Sequence, residues 1–315
     1  MPQKIHVIGA SGRSGAALCR ALIAAGDTPV PVVRSAARWA ATGLPGAPRL
    51  ADLADAAALR AALADARADT GAGAGAETGA ETGAIVSCAH ARHAAAILAA
   101  APATARFVFL GSTRKFTRYP DAHGNGVLAG EAAFLASRRA GVMLHPTMIY
   151  GAEGEDNVQR LAALLRRLPL VPLPGGGASL VQPIHQADVT ASIRAALARP
   201  WHGPQALVIA GPAPVSYADF VRAVAHAAGL PRPRILPLPA AALIAGAWLT
   251  RLPGLPTIRP AEIRRLLEDK AFDIAPMRAA LGVAPAALAD GLAQTFGQTR
   301  GQTLGQTSGQ ASAAR

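Results

Sequence analysis

Apolar residues recur along this chain in two alternating rhythms. Short runs at Ile5–Ile8, Pro29–Val33, Ile85–Ser87, Phe107–Leu110 and Val142–Leu144 have the length and β-branched or aromatic content of buried strands. Between them lie Ala- and Leu-rich stretches of helical character: Ser14–Ala25, with Leu18, Leu22 and Ile23 on one face, then Ala56–Ala66, His93–Ala100 and Glu131–Arg139. Two prolines weaken Pro29–Val33 as a strand, because each removes a ladder donor. Strands alternating with helices predict an α/β, doubly wound parallel sheet covered on both faces.

Beyond residue 150 the rhythm loosens. Helices are predicted over Val158–Arg167, over Val189–Ala198 with Asp188 as its cap, and over Tyr217–Ala228. Ser216 and Asp219 form a capping box for the last of these. Leu207–Ala210 reads as a strand, and Leu168–Gly177 is rich in Pro and Gly. Three shorter helical stretches centre near Ala240, Ala261 and Ala286. Residues 151–296 are therefore expected to form a smaller α+β lobe. Gly71–Ala84 is an Ala/Gly/Glu/Thr excursion, and Gly297–Gln310 repeats Gly-Gln-Thr-x; residues 297–315 are expected to be a disordered tail.

The net charge of +12 raises the question of nucleic acid. Residues 1–150 hold 15 basic and 9 acidic groups and residues 151–315 hold 16 and 10, so each half carries +6 with no basic arm. With 7 Phe, 3 Tyr and 3 Trp there is also little stacking surface, and no nucleic-acid partner is expected. Cys19 and Cys88 are too few for a disulfide framework or a four-thiolate metal site. Neither HExxH, a CxxC pair, a P-loop nor a nucleophile elbow occurs, and no metal is expected. The chain opens on a strand-like run rather than a basic and apolar leader. Ala240–Leu249 is too short for a span. Flanked by Arg234 and Arg251, it could rest on a membrane surface, but a buried helix is preferred. A cytoplasmic protein acting on a small molecule is expected.

The sharpest motif is Gly9-Ala10-Ser11-Gly12-Arg13-Ser14-Gly15, set between a strand and a helix. Gly9 permits a tight turn, Gly12 lets a pyrophosphate approach the backbone, and Gly15 lets helix pack on strand. The helix start supplies amide donors for phosphate. This predicts a Rossmann-type dinucleotide-binding domain over residues 1–150. An NAD site places a carboxylate at the end of the second strand. Here no acidic residue lies between Asp27 and Asp52; Arg34, Ser35 and Arg38 stand there, with Arg13 in the turn. Guanidinium and hydroxyl donors suit a 2′-phosphate, so NADP(H) is favoured over NAD. The plainer alternative is that Arg34 is a solvated strand-end residue.

The glycine spacing resembles the extended and atypical short-chain dehydrogenase/reductase superfamily, in its NAD-dependent epimerase/dehydratase and NmrA-like branches. Phe107-Val-Phe-Leu-Gly-Ser-Thr113 looks like the strand that ends in that family's active-site Ser/Thr. Leu144-His-Pro-Thr-Met-Ile-Tyr-Gly151 is similar to its Arg-Pro…Tyr-Gly segment, with His145 in place of Arg. Gln182-Pro-Ile-His-Gln-Ala-Asp188 resembles its return to the first lobe, which implies that residues 181–199 rejoin the dinucleotide domain. Glu268–Asp273 and Leu281-Gly282 resemble its C-terminal part. The resemblance implies that Asp52 and Leu53 lie near the adenine and that Cys88, Ala89 and His90 line the cofactor groove. It also implies that the backbone of Pro146, Thr147 and Met148 faces the nicotinamide. His90 could equally be a polar strand-end residue.

Reductases of this superfamily use a Tyr with a Lys four residues later, whose charge lowers the phenol pKa from about 10. Tyr119, Tyr150 and Tyr217 are followed at that spacing by His123, Gly154 and Val221, so no such pair exists. The family spacing, counted from Glu131 and Pro146, falls on His123 and Val127. Tyr119 and His123 could substitute, with Ser112 donating to a substrate oxygen. Pro120 and Gly124–Gly126 place both in a loop. Arg114 and Lys115 could bind an anionic substrate or be solvated. Two readings follow: an NADP(H)-dependent oxidoreductase or nucleotide-sugar epimerase-like enzyme with an atypical active site, binding substrate between lobes, or a non-catalytic dinucleotide binder like NmrA-type regulators and the accessory subunit of respiratory complex I.

Overall fold

The computed structural model describes residues 4–66, 83–151, 157–168, 170–246 and 260–297. The chain divides into two units. One comprises Met1–Thr147, Gln186–Ile209 and Ile274–Val283; the other comprises Met148–His185, Ala210–Asp273 and Ala284–Arg315. Most of the two low-complexity stretches, residues 71–82 and 298–310, falls outside the described residues, as do 247–249 of the apolar window.

The first unit is built on a seven-stranded sheet. Its strands are β1 (Lys4–Ile8), β2 (Thr28–Val33), β3 (Arg49–Leu50), β4 (Ala84–Ser87), β5 (Arg106–Leu110), β6 (Gly141–Pro146) and a last strand, Pro204–Ile209. The order is Pro204–Ile209, β6, β5, β4, β1, β2, β3, with every pairing parallel. Its helices are α1 (Arg13–Ala24), α2 (Ala36–Ala40), α3 (Ala56–Leu63), α4 (Ala94–Ala100), α5 (Ala122–Ala136) and the later segments Gln186–Ala198 and Ala275–Leu281. This is the expected Rossmann-type, doubly wound sheet. Its middle strands are largely apolar because helices cover both faces; Ile5, Val7, Ile8, Ile85, Val86, Phe107 and Phe109 are all buried. The strand order reverses between β1 and β4, so a crevice opens at their C-terminal ends.

The two prolines of β2 are tolerated for a legible reason. Val32 turns its carbonyl to Gly9 N–H after β1, and Val33 turns its carbonyl to Ala51 N–H after β3. Odd positions of β2 therefore face β3, which pairs only with Val32 and Val33. Pro29 and Pro31 sit on that side before β3 begins, so no ladder donor is lost.

Several expectations need correction. The helix placed at Glu131–Arg139 runs over Ala122–Ala136 and takes in the glycines read as a loop. Asp121 caps it by accepting the Gly124 N–H at 2.8 Å. The glycines are present because α5 lies hard against two turns. A Cβ on Gly124 or Gly126 would come within 2.9 Å of the Arg114 carbonyl or the His90 ring, and one on Gly130 would overlap the Ala91 carbonyl. Asp188 lies inside the first turn of Gln186–Ala198 rather than capping it. The Pro/Gly-rich stretch holds a strand, Leu170–Pro174. Ala286 falls between the helix Ala275–Leu281 and a helix over 288–297.

The second unit mixes helices with short strand pairs. Ile149–Tyr150 pairs with Ile184–His185 and Leu170–Pro174 with Arg234–Leu238, both parallel; Leu180–Val181 pairs antiparallel with Val215–Ser216. Its core gathers Tyr150, Val158, Leu173, Phe220, Val221 and Leu292. Ser216 caps Tyr217–Ala227 through the Asp219 N–H at 3.0 Å, as the capping box predicts. No helix among the described residues is long and apolar enough to cross a membrane.

Candidate functional site

At the switch point the chain leaves β1 through Gly9, whose φ of +75° favours glycine. The Gly12 N–H closes the turn onto the Gly9 carbonyl at 2.9 Å. A Cβ on Gly15 would overlap that same carbonyl, so α1 packs onto the end of β1 only because position 15 has no side chain. Gly12 begins α1 and no side chain caps it, which leaves an electropositive helix start in the turn.

A cavity of about 290 Å³ opens beside this turn. Of the residues predicted to meet the cofactor, Gly9, Ser11, Gly12, Arg34, Ser35, Asp52, Leu53, Cys88 and Ala89 line it. Arg38 and His93 complete the polar wall, and Ile8, Val32, Val33 and Ala51 the apolar one. Arg34 and Arg38 are exposed, and Ser35 caps α2 through the Arg38 N–H. Asp52 accepts the Ala54 N–H at 2.9 Å. Burial pushes the Cys88 thiol up, which keeps it protonated. An apolar slot, two guanidinium groups and a bare helix start suit the adenosine and phosphate portion of a dinucleotide.

Other predicted positions serve the frame. Arg13 is exposed and lies outside this wall. The Ser14 hydroxyl donates to Gln186 Oε1 at 2.9 Å. Pro146 accepts the Thr113 hydroxyl at 3.2 Å, and the Thr147 N–H bonds the Ile209 carbonyl at 3.0 Å. Met148 belongs to the second unit.

The ends of β5 and β6 hold a buried charge network that the sequence reading did not foresee. Lys115 Nζ lies 2.5 and 2.6 Å from the two Glu131 oxygens and 3.3 Å from His145 Nε2. Its side chain is 10% exposed, that of Glu131 14%, and that of His145 1%. The Ser112 N–H donates to His145 Nδ1 at 3.2 Å, which puts the ring proton on Nε2, 3.5 Å from Glu131 Oε2. Burial and then the Lys115 charge push His145 below its ordinary pKa, against the pull of Glu131. Neither cation read as binding an anionic substrate or as solvated stands alone: Lys115 is paired with Glu131, and Arg114 with Asp121. His145 stands where the resembled pattern has Arg, and with its ring neutral the cation that meets Glu131 is Lys115.

Ser112 ends β5, and its hydroxyl accepts the Arg114 N–H at 3.2 Å. Tyr119 stands outside α5 and is 38% exposed, whereas His123 is in the first turn of α5 and exposed. The pair is therefore split between a bend and a helix. His123 instead meets His90, with ring centroids 4.4 Å apart at 79°. Burial, then His123 and Arg92, push His90 down to about 4. Burial and then Arg114 lower His123, with Asp121 opposing.

No curated protein matches this chain. Among solved structures it resembles a UDP-glucose 4-epimerase with UDP-glucose from Thermotoga maritima, at TM-score 0.70 and 12% identity over 96% of this chain and 100% of that one. MoeE5 in complex with UDP-glucuronic acid and NAD gives 0.67 and 19% over 95% and 99%. The NADPH-dependent quinone oxidoreductase QOR2 of Escherichia coli, complexed with NADPH, gives 0.67 and 18% over 93% and 99%. At such identities these likenesses establish the fold. Residues 5–210 match the model of the NAD dependent epimerase/dehydratase family. By that match over most of its length, the chain belongs to the NAD dependent epimerase/dehydratase family.

Proposed function

We propose that this chain is a nicotinamide-dinucleotide-dependent enzyme that favours NADP(H) and has an atypical acid–base group. The observation that carries the reading is the rim at the end of β2, where Arg34, Ser35 and Arg38 line the cavity and no carboxylate stands among them. A guanidinium there makes a charge-assisted, bidentate pair with a 2′-phosphate and gains much less from a neutral ribose hydroxyl. Gly9, Gly12 and the start of α1 would hold the pyrophosphate, and Asp52, Leu53, Cys88 and Ala89 would flank the adenosine. When bound, the nicotinamide supplies reversible hydride chemistry. Ser112, Tyr119 and His123 are the candidate catalytic groups. Nucleotide sugars and quinones are the candidate substrate classes, because structures of like fold act on or hold them. A cytoplasmic location goes with such a substrate.

Fluorescence titration with NADPH and NADH tests the reading. NADPH is expected to bind at least tenfold more tightly; equal affinities would sink the NADP(H) preference, and no binding of either would sink the enzyme reading. A second reading, a non-catalytic dinucleotide binder, draws on one observation. The position of the family lysine is Val127, 1% exposed in the core. Turnover of NADPH with a nucleotide-4-keto sugar or a quinone would exclude it.

A further inference from the structure

Helix α5 and the turn after β4 bring two imidazoles together beside the C-terminal edge of the sheet. His90 directly follows Cys88 and Ala89 of the cavity wall. Its Nδ1 accepts the Arg92 N–H at 3.1 Å, and its Cε1 edge lies where a Cβ on Gly126 would come within 2.9 Å. The ring is thus fixed from both sides, with its proton on a buried Nε2 that has no hydrogen-bond partner among the described residues. His123 packs against it edge to face and keeps its outer side in solvent.

His123 and Val127 stand where the family pattern has Tyr and Lys, and the two departures fit one another. A phenol is a poor base near neutrality without an adjacent ammonium. An imidazole is a competent base unaided, and a cation one helical turn along would repel the imidazolium it becomes. Replacing Tyr by His therefore removes the need for a Lys to activate the phenol, and position 127 joins the core as Val127.

We propose that His123, held edge-on by His90, takes and returns the proton at this site in place of the tyrosine–lysine pair. The proposal rests on the dinucleotide reading above. The step is a proton transfer alone. A substrate O–H bond breaks, an N–H bond forms on the imidazole, the electron pair stays on the substrate oxygen, and the ring carries the positive charge until it returns the proton. His90 is a positioning residue. The charged and titratable groups facing the pair are Arg92 and His93 from the turn after β4, Arg114 from the turn after β5, and Asp121 at the cap of α5. Their balance is cationic and, with burial, favours the neutral rings that a base requires.

The test uses the full-length protein and diethyl pyrocarbonate, which acylates accessible neutral imidazoles, with modified peptides read by mass spectrometry. His123 is expected to react with a rate midpoint below pH 6.5, and saturating NADPH is expected to slow it at least fivefold. In His90→Ala the midpoint should rise toward 6.5, because water reaches the ring; a purely structural role for His90 would leave it unmoved. NADPH binding is followed separately by fluorescence. If NADPH binds and leaves the His123 rate unchanged, this proposal falls while the dinucleotide reading stands. If neither NADPH nor NADH binds, both fall. An unshifted midpoint in His90→Ala removes His90 from its role.

Discussion

Arg34 shows how much a single residue can decide at the cofactor rim. It is exposed at the end of β2 and lines the cavity beside Ser35 and Arg38. On the proposed reading, Arg34→Ala removes a charge-assisted contact worth roughly 1.5–3 kcal/mol. NADPH affinity should fall by about tenfold or more while NADH affinity hardly changes. Fluorescence titration of both nucleotides checks this, and parallel losses for the two would count against a 2′-phosphate contact. Gly15 is the opposite kind of residue, important for what it lacks. Gly15→Ala sets a methyl into the Gly9 carbonyl, which is backbone and cannot swing aside. Either α1 lifts from β1 or the turn distorts, so stability should drop by about 1–3 kcal/mol in urea denaturation, with weaker nucleotide binding beside it. An unchanged midpoint and affinity would show that the turn has slack.

At the scale of elements, β5, β6 and α5 are tied by Lys115, Glu131 and His145. Glu131→Gln strips the counter-charge from a largely buried ammonium and should cost about 3 kcal/mol or more. The exposed i,i+3 pair of Asp219 and Arg222 is the control; Asp219→Asn should cost under about 1 kcal/mol from the lost pair, beyond any effect on the Ser216 cap. Similar costs in the two variants would mean that burial adds nothing to the first pair. Sequence pattern was enough for the elements whose local signal and tertiary role agree, such as β1, α1 and the glycine turn between them. It failed where tertiary contact overrides local preference. Gly124, Gly126 and Gly130 look like breakers, yet they let α5 approach two turns. The two residues of β3 are too few to show a period. In the site, the cavity wall after β1 and β2 was legible from motif and charge, and that after β3 and β4 only through the family resemblance. The Lys115–Glu131–His145 network and the His90–His123 contact were not, because each joins residues far apart in sequence through packing alone.

Across the first unit, five histidines share one electrostatic condition. His6, His90, His93, His123 and His145 all sit below the ordinary imidazole value, with burial the largest cause in each. An unfolded chain takes up these protons near pH 6.5, whereas the folded chain resists them until lower pH. Between those values the unfolded state binds more protons, so stability is full above pH 6.5 and is lost as pH falls below it. Asp65 does not blur this window. Arg49, Lys4 and His6 hold its carboxyl far below the usual range, so its contribution is lost only in stronger acid. His145, the most enclosed of the set after His6, should account for up to about 2 kcal/mol by pH 5, and the more exposed rings for less. The melting temperature is therefore expected to fall by several degrees between pH 7.5 and pH 5.0 in calorimetry. His145→Gln removes one titrating group; it should lower stability at pH 7.5 and flatten the decline toward pH 5.0. A melting temperature that holds steady or rises over this range would mean that the folded chain accepts these protons as readily as the unfolded one, and the buried neutral imidazoles would have to be abandoned.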